Sequence, residues 1–359
     1  MFLPTTQDMQ YFPGLTKVFI LSGLSFLIAI AWTPLLLKFL KKYRLGKSIR
    51  QGSAPLYTKM HQKKEGTPTM GGILIWATVS FLAVLFFALD KLTHLPLFHY
   101  LNFLTRPQTL LPLGALFATA LVGAIDDLLN IFKIGPHGGG LRMRHRLVLY
   151  TLVAIFGAWW FYYKLAWDVI HVPGIGDFAI GVWYIPLFIF IMVATSFSTN
   201  ETDGLDGLAG GTLLFAFASF GVIAFAKGKI ELAAFCGVIA GSLLAFLWFN
   251  IYPARFFMGD TGAMSLGTTL GIIAMLTNSA LVLPLIGIVL VIESLSVIIQ
   301  WLAKKFAKRK IFLSSPIHHH FEARGWPEPQ VVMRFWIIAV LGCLVGLVIG
   351  LIGMGTPPK

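Results

Sequence analysis

The chain has 359 residues, 57% of them hydrophobic and only 12% charged, about half the charge of a typical soluble domain. With a mean hydropathy of +0.80, that excludes a soluble enzyme, a disordered chain and a fibrous repeat. The net charge of +13 would point to a nucleic-acid surface in a soluble protein; in an apolar chain it first asks where the cations lie.

A helix needs about 20 apolar residues to cross a bilayer. Ten segments qualify, with soft edges: 16–38, 69–89, 109–131, 147–163, 182–199, 207–226, 232–250, 262–278, 280–302 and 332–353. They predict a single all-α polytopic membrane domain over 1–359 with about ten transmembrane helices. The first segment reads as a retained span, because no basic stretch precedes it and no small-residue cleavage site follows. Residues 168–180 (DVIHVPGIGDFAI) are short, β-branched and broken by Pro-Gly, which reads as a small outer hairpin rather than a span. Cys236 and Cys343 lie in apolar runs, with neither a disulfide framework nor zinc spacing.

If the N-terminus is outside, loops 39–68, 132–146, 200–206, 251–261 and 303–331 are inner. Those loops and the adjoining span ends hold 21 of the 28 Lys and Arg residues. The positive-inside rule therefore places both termini outside. Most acids fall on the same side, gathered in short motifs. Carboxylates at a membrane edge are costly and usually functional.

In chain order, the first motif is KKEGTPTMGG (63–72), where basic residues precede a Thr-Pro-Thr helix start suited to anions. Asp126 and Asp127 end span 3. Adjacent helical positions diverge by about 100°, so two roles fit better than one shared proton; the plain alternative is a solvated helix end. In TDGLDGLAGG (202–211), Asp203 and Asp206 share a face if helical, and the glycines permit close approach. Simple N-capping by Asp203 explains the pattern equally well. WFNIYPARFFMGDTG (248–262) places Asp260 on a tight turn opening span 8. A carboxylate there suits Mg²⁺, which takes one or two carboxylates plus substrate phosphates, or caps the helix. PIHHHFEARGWPEP (316–329) sets three histidines in an inner loop. Their spacing and the lack of Cys partners disfavour zinc and favour anion contact or acid–base work. Acids for a metal beside bases for phosphate on one membrane face suggest phosphoryl transfer with a lipid phosphate as one substrate.

These motifs resemble those of the phospho-N-acetylmuramoyl-pentapeptide transferase family, within the polyprenyl-phosphate N-acetylhexosamine-1-phosphate transferases. The matches are TPTMGG, Asp126-Asp127, NETDGLDGLA (200–209), WFNxxPAxxFMGD (248–260), ESLSVIIQ (293–300) and PIHHHFExxGWPEP. The resemblance implies transfer of phospho-MurNAc-pentapeptide from UDP-MurNAc-pentapeptide to undecaprenyl phosphate, with Mg²⁺, at the cytoplasmic face of a bacterial inner membrane. It also implies contact with membrane lipids, no nucleic acid, and a homodimer. It makes Asp126, Asp127, Asp260 and His318 the catalytic set, with Asp260 on the metal. Lys64, Asn200, Asp203, Asp206 and Phe257 would line the nucleoside pocket. Thr69, Arg146, Asn250, Gln300, His319 and His320 would be further substrate contacts. Span 9 carries Pro284, where a bend opening a lipid groove is implied. Asn130 and Arg146 stand where the family usually has lysine, while Phe197 and Glu201 replace its Asn and Leu. Two competing readings are a transferase of the same fold using UDP-N-acetylglucosamine, and a transporter or flippase. Direct attack by the lipid phosphate and a covalent Asp intermediate are both compatible with the sequence.

Overall fold

A computed structural model describes residues 6–46, 64–106, 108–135 and 139–353, giving only the backbone path for 6–12. Of the cations counted above, Lys47, Arg50, Lys59, Lys63 and Lys359 lie outside the described residues. The helices are α1 (Thr6–Lys42), α2 (Ile73–Thr93), α3 (Pro96–Leu101), α4 (Leu110–Ile131) and α5 (Met143–Trp159). A two-stranded hairpin follows, β1 (Val169–Val172) and β2 (Gly176–Ala179), then α6 (Tyr184–Thr202), α7 (Leu208–Ala226), α8 (Ile230–Asn250) and α9 (Gly259–Leu276). The chain ends with α10 (Leu283–Ile286), α11 (Ile288–Phe306), α12 (Ile317–Ala323) and α13 (Glu328–Ile352).

Among the described residues, eight helices are long and apolar enough to cross a membrane, or nine counting Ala280–Ile286 with Ile288–Phe306 as one bent span. The remaining expected segment is α9. Its Gly, Ser and Thr residues make it less apolar than the rest, and it can be so because almost every one of its residues is buried in protein. Such small residues let helices approach closely. A Cβ on Gly72 would lie 2.2 Å from the Gly262 Cα, and one on Gly123 would lie 2.3 Å from the Asp260 carbonyl. The result is an axial helix flanked by α2, α4, α6 and α7. The lipid-type surface lies elsewhere: α1 and α13 expose Phe19, Leu27, Leu35, Ile337, Leu341 and Leu344.

The bend between α10 and α11 is 82°, but it falls at Gly287 rather than Pro284. Pro284 sits in the first turn of α10, where its missing N–H costs nothing. α11 then runs with a divided surface. It buries Glu293, Ser294, Ser296 and Gln300 and exposes Leu295, Ile298, Trp301 and Phe306.

The expected hairpin forms, pairing Val169 with Ala179 in antiparallel register. Its His171 backbone N–H donates to Asn278 Oδ1 (3.0 Å), and its ring Nε2 lies 2.6 Å from the Gly353 carbonyl. This ties the hairpin to the C-terminal ends of α9 and α13. The charged motifs collect at the opposite end of the bundle.

Candidate functional site

The N-terminus of α9 organises the site. Gly259 takes φ +74°, and a Cβ there would meet Asp127 Oδ2 at 2.6 Å and Thr69 Oγ1 at 2.9 Å. Asp127 reaches across from α4 and accepts the N–H groups of Asp260 and Thr261, both at 3.0 Å. Asp203 Oδ2 accepts the Gly259 N–H at 3.2 Å. A helix N-terminus carries unpaired donors and a positive dipole, and here two carboxylates from other helices satisfy it. Asp260 is therefore not the cap of its own helix: Asp127 has that task.

The Asp260 side chain is turned to a different group. Its Oδ1 accepts from Asn200 Nδ2 (2.5 Å) and its Oδ2 from Arg146 Nη2 (2.8 Å). Arg146 Nη1 donates to Asn200 Oδ1 at 3.0 Å. Arg146 Nε approaches Asp126 Oδ2 at 2.6 Å, an ion pair without hydrogen-bond direction, since neither atom has a hydrogen-bond partner. Asp126 Oδ1 accepts the Leu141 N–H at 2.6 Å. Asp126 and Asp127 thus diverge as their helical offset requires, and both are buried rather than solvated.

A second cluster lies beside it. Lys64 Nζ sits between Asp206 Oδ1 (2.6 Å) and Glu328 Oε1 (2.5 Å), with the Phe257 ring centroid 5.8 Å away. Glu328 Oε1 also accepts the Asp206 N–H (2.7 Å), and Asp206 Oδ2 accepts the Ala254 N–H (3.0 Å). Asp203 and Asp206 do not share a helix face. Gly204 and Gly207, the latter at φ +82°, keep 203–207 in a loop, and α7 begins only at Leu208. Nor does the Thr-Pro-Thr segment cap α2. It docks on the 256–258 loop, with the Phe257 N–H donating to the Pro68 carbonyl (2.8 Å) and the Gly71 and Gly72 N–H groups donating to the Phe257 and Met258 carbonyls (2.7 and 2.8 Å).

The three histidines go separate ways. His318 Nδ1 lies 2.9 Å from Glu293 Oε2, both side chains fully buried, while its Nε2 has no hydrogen-bond partner and abuts Gly204, where a Cβ would sit 2.2 Å away. Burial opposes charge on this ring, but Glu293, with Glu322 and Glu201, outweighs burial and raises its pKa. His319 Nδ1 pairs with Glu322 Oε2 at 2.7 Å. His320 Nδ1 accepts the Leu313 N–H at 3.1 Å.

Two expected substrate contacts are spent on backbone. Asn250 accepts the Gly207 N–H (3.0 Å) and donates to the Phe256 carbonyl (2.8 Å). Gln300 Oε1 accepts the Ile311 and Phe312 N–H groups (3.0 Å each), and its Nε2 donates to the Phe312 carbonyl (2.9 Å). Both hold loops. Sequence reasoning passed over Glu293 and Glu328. The signal for Glu293 was a lone acid inside an apolar helix; Glu328 was quoted within its motif without a task.

Among the described residues, no three or more His, Cys, Asp or Glu side chains surround a common metal position, so a closed protein cage does not form. Mg²⁺ fits such a place differently, held by one or two carboxylates and by substrate phosphates. Asp260, with Asp126 joined to it through Arg146, is the pair of carboxylates that could serve a metal in that way.

Residues 109–278 match the family described as Glycosyl transferase family 4, and residues 64–75 match the Phospho-N-acetylmuramoyl-pentapeptide-transferase signature 1. The chain is similar to the phospho-N-acetylmuramoyl-pentapeptide-transferase of Chloroflexus aggregans, 37% identical over 356 residues that cover 96% of this chain and 92% of the relative. It is also similar to that of Bacillus anthracis, 39% identical over 332 residues that cover 92% of this chain and 96% of the relative.

Proposed function

The chain belongs to the phospho-N-acetylmuramoyl-pentapeptide-transferase family, and from that premise we propose that it transfers phospho-MurNAc-pentapeptide from a UDP carrier to undecaprenyl phosphate and releases UMP. The observation that carries the residue assignment is the Asp126–Arg146–Asp260 node, set against a helix N-terminus and beside Lys64, Phe257 and His318.

Two acids flank one ammonium at Lys64. That balance suits a neutral, donor-bearing nucleoside better than a diphosphate. Ribose and uracil would hydrogen-bond there while Phe257 stacks on the base. The diphosphate then lies toward Arg146 and His318, whose cations neutralise it. Asp260 and Asp126 would hold Mg²⁺, which when bound draws charge from the phosphate oxygens and orients them.

The chemical step is attack by a lipid phosphate oxygen on the β-phosphorus. A new P–O bond forms as the bond to the bridging oxygen breaks, and UMP departs with that oxygen. Direct attack needs no side-chain nucleophile, and Asp127 offers none, because both its oxygens accept backbone N–H groups of α9. The apolar outer face of α11 would seat the polyprenyl tail. The surface carrying the node would face the cytoplasm of the inner membrane, its basic loops attracting anionic headgroups.

The test is UMP release from UDP-MurNAc-pentapeptide, run beside UDP-N-acetylglucosamine, with polyprenyl phosphate or Mg²⁺ withheld in turn. Release should require both and should favour the muramoyl substrate. Asp260→Asn should lower the rate on the order of 10³-fold while the protein stays folded. UMP release without lipid acceptor would replace direct attack with a covalent route. Preference for UDP-N-acetylglucosamine would overturn the substrate assignment.

A further inference from the structure

Arg146 occupies the space between the two carboxylates assigned to the metal. Its fork touches Asp126 Oδ2 at 2.6 Å, Asp260 Oδ2 at 2.8 Å and Asn200 Oδ1 at 3.0 Å. Its side chain is 14% exposed, against 0% for Asp126 and 12% for Asp260. A guanidinium carries five donors in a rigid plane, and here three of its nitrogens face acceptors of one cluster. Lysine, a single point charge on a flexible stem, cannot span the same three atoms.

A divalent cation on Asp260 would need an oxygen that this guanidinium already holds, and two cations on one carboxylate repel unless an anion lies between them. A diphosphate is such an anion, and arginine pairs with phosphate as readily as with carboxylate. We propose that Arg146 is a resident cation that excludes the divalent metal from Asp126 and Asp260 until a diphosphate draws its guanidinium away. Metal and nucleotide then bind synergistically, and the free enzyme binds metal poorly. The inference rests on the metal reading given above and adds to it an internal competitor.

The test measures Mn²⁺ binding by electron paramagnetic resonance on the full chain in detergent, with and without UDP, so turnover plays no part. Wild type should bind Mn²⁺ weakly alone and about tenfold more tightly with UDP. Arg146→Gln should bind Mn²⁺ about tenfold more tightly than wild type without UDP, equivalent to about 1.4 kcal/mol, and gain little more when UDP is added. Arg146→Lys keeps the charge but loses the fork, so it should gain severalfold; it also serves if the glutamine variant does not fold. Adding Asp260→Asn to either variant should cancel the gain. Unchanged or weaker Mn²⁺ binding in Arg146→Gln overturns the inference and leaves the metal reading standing. A gain in Arg146→Gln with none in Arg146→Lys overturns it in favour of net charge alone. Absence of Mn²⁺ binding in every variant, even with UDP, overturns the metal reading and this inference together.

Discussion

The two ends of α9 use charge in opposite ways. At its C-terminus, Lys227 Nζ donates to the Thr277 carbonyl (2.6 Å) and Ser279 Oγ (3.0 Å), and Lys229 Nζ donates to the Leu276 carbonyl (2.5 Å). At its N-terminus, Asp127 and Asp203 accept the first backbone N–H groups. Both arrangements follow the helix dipole. The difference lies in what remains. The lysines spend their ammonium groups on backbone carbonyls. At the other end Asp127 is spent in the same manner, but Arg146 engages Asp126 and Asp260, and Lys64 engages Asp206 and Glu328, through side chains that a charged ligand can displace. Burying a charge is a matter of support at one end and of chemistry at the other.

The sharpest break of that comparison separates Asp126 from Asp127. Both substitutions should remove activity, on the order of 10²-fold or more, for different reasons. Asp127→Ala strips the N–H groups of Asp260 and Thr261 of their acceptor inside the protein, at a cost of about 1–3 kcal/mol, so the melting temperature falls with the rate. Asp126→Asn keeps shape and one acceptor, so the rate should fall with melting nearly unchanged. Equal melting temperatures for the two variants would show that Asp127 does not hold α9.

Glu293 and His318 give the next effect. An ion pair that raises a histidine pKa contributes its full stability below the ordinary value of about 6.5 and loses it as pH rises through the higher folded value. If charged His318 serves the diphosphate, the same rise sets the alkaline limb of kcat/KM. Glu293→Gln removes the first partner that raises the ring. The alkaline limb should move to lower pH, and kcat/KM should fall on the alkaline side while its acid side changes little. An alkaline limb that stays in place would sever the dyad from catalysis.

How legible this was in the sequence differs between the two ends. Hydropathy alone located the helices, because a membrane span must be long and apolar. It failed to rank α9, whose glycines and threonines read as weak hydrophobicity although they mark the most buried helix. Motifs located Asp126, Asp127, Asp260 and His318, but not their partners. Nothing in the spacing says that residue 146 reaches residue 260, since that contact depends on how α5 and α9 each pack against α6. Asn250 and Gln300 enter as substrate contacts only through the family resemblance; in the structure their amides are taken by loop backbone. A shared face for Asp203 and Asp206 is conditional on a helix over 203–207, and Gly204 and Gly207 keep that run in a loop. At the far end, Lys227 and Lys229 looked like ordinary outer cations, because a lysine that ends another helix leaves no local pattern.

The smallest expected effect falls at that far end. Burial pushes the Lys227 ammonium down to about 8, with Lys229 adding to the fall and Asp177 opposing it. An unfolded lysine keeps its proton to about 10.4. Between those values the unfolded chain binds more protons than the folded one, so this group makes folding more favourable as pH rises from 8 toward 10. Lys227→Met removes that slope along with a donor to Thr277 and Ser279. The net change near neutral pH should be small, about 1 kcal/mol, because relief of a buried charge offsets the lost hydrogen bonds. Melting curves of both proteins from pH 7 to 10 should therefore diverge in favour of wild type at the alkaline end, while UMP release stays within twofold. Parallel curves would mean that Lys227 keeps an ordinary pKa. A large loss of transfer activity would mean that the two ends of α9 are coupled, and that Lys227 and Lys229 do more than end a helix.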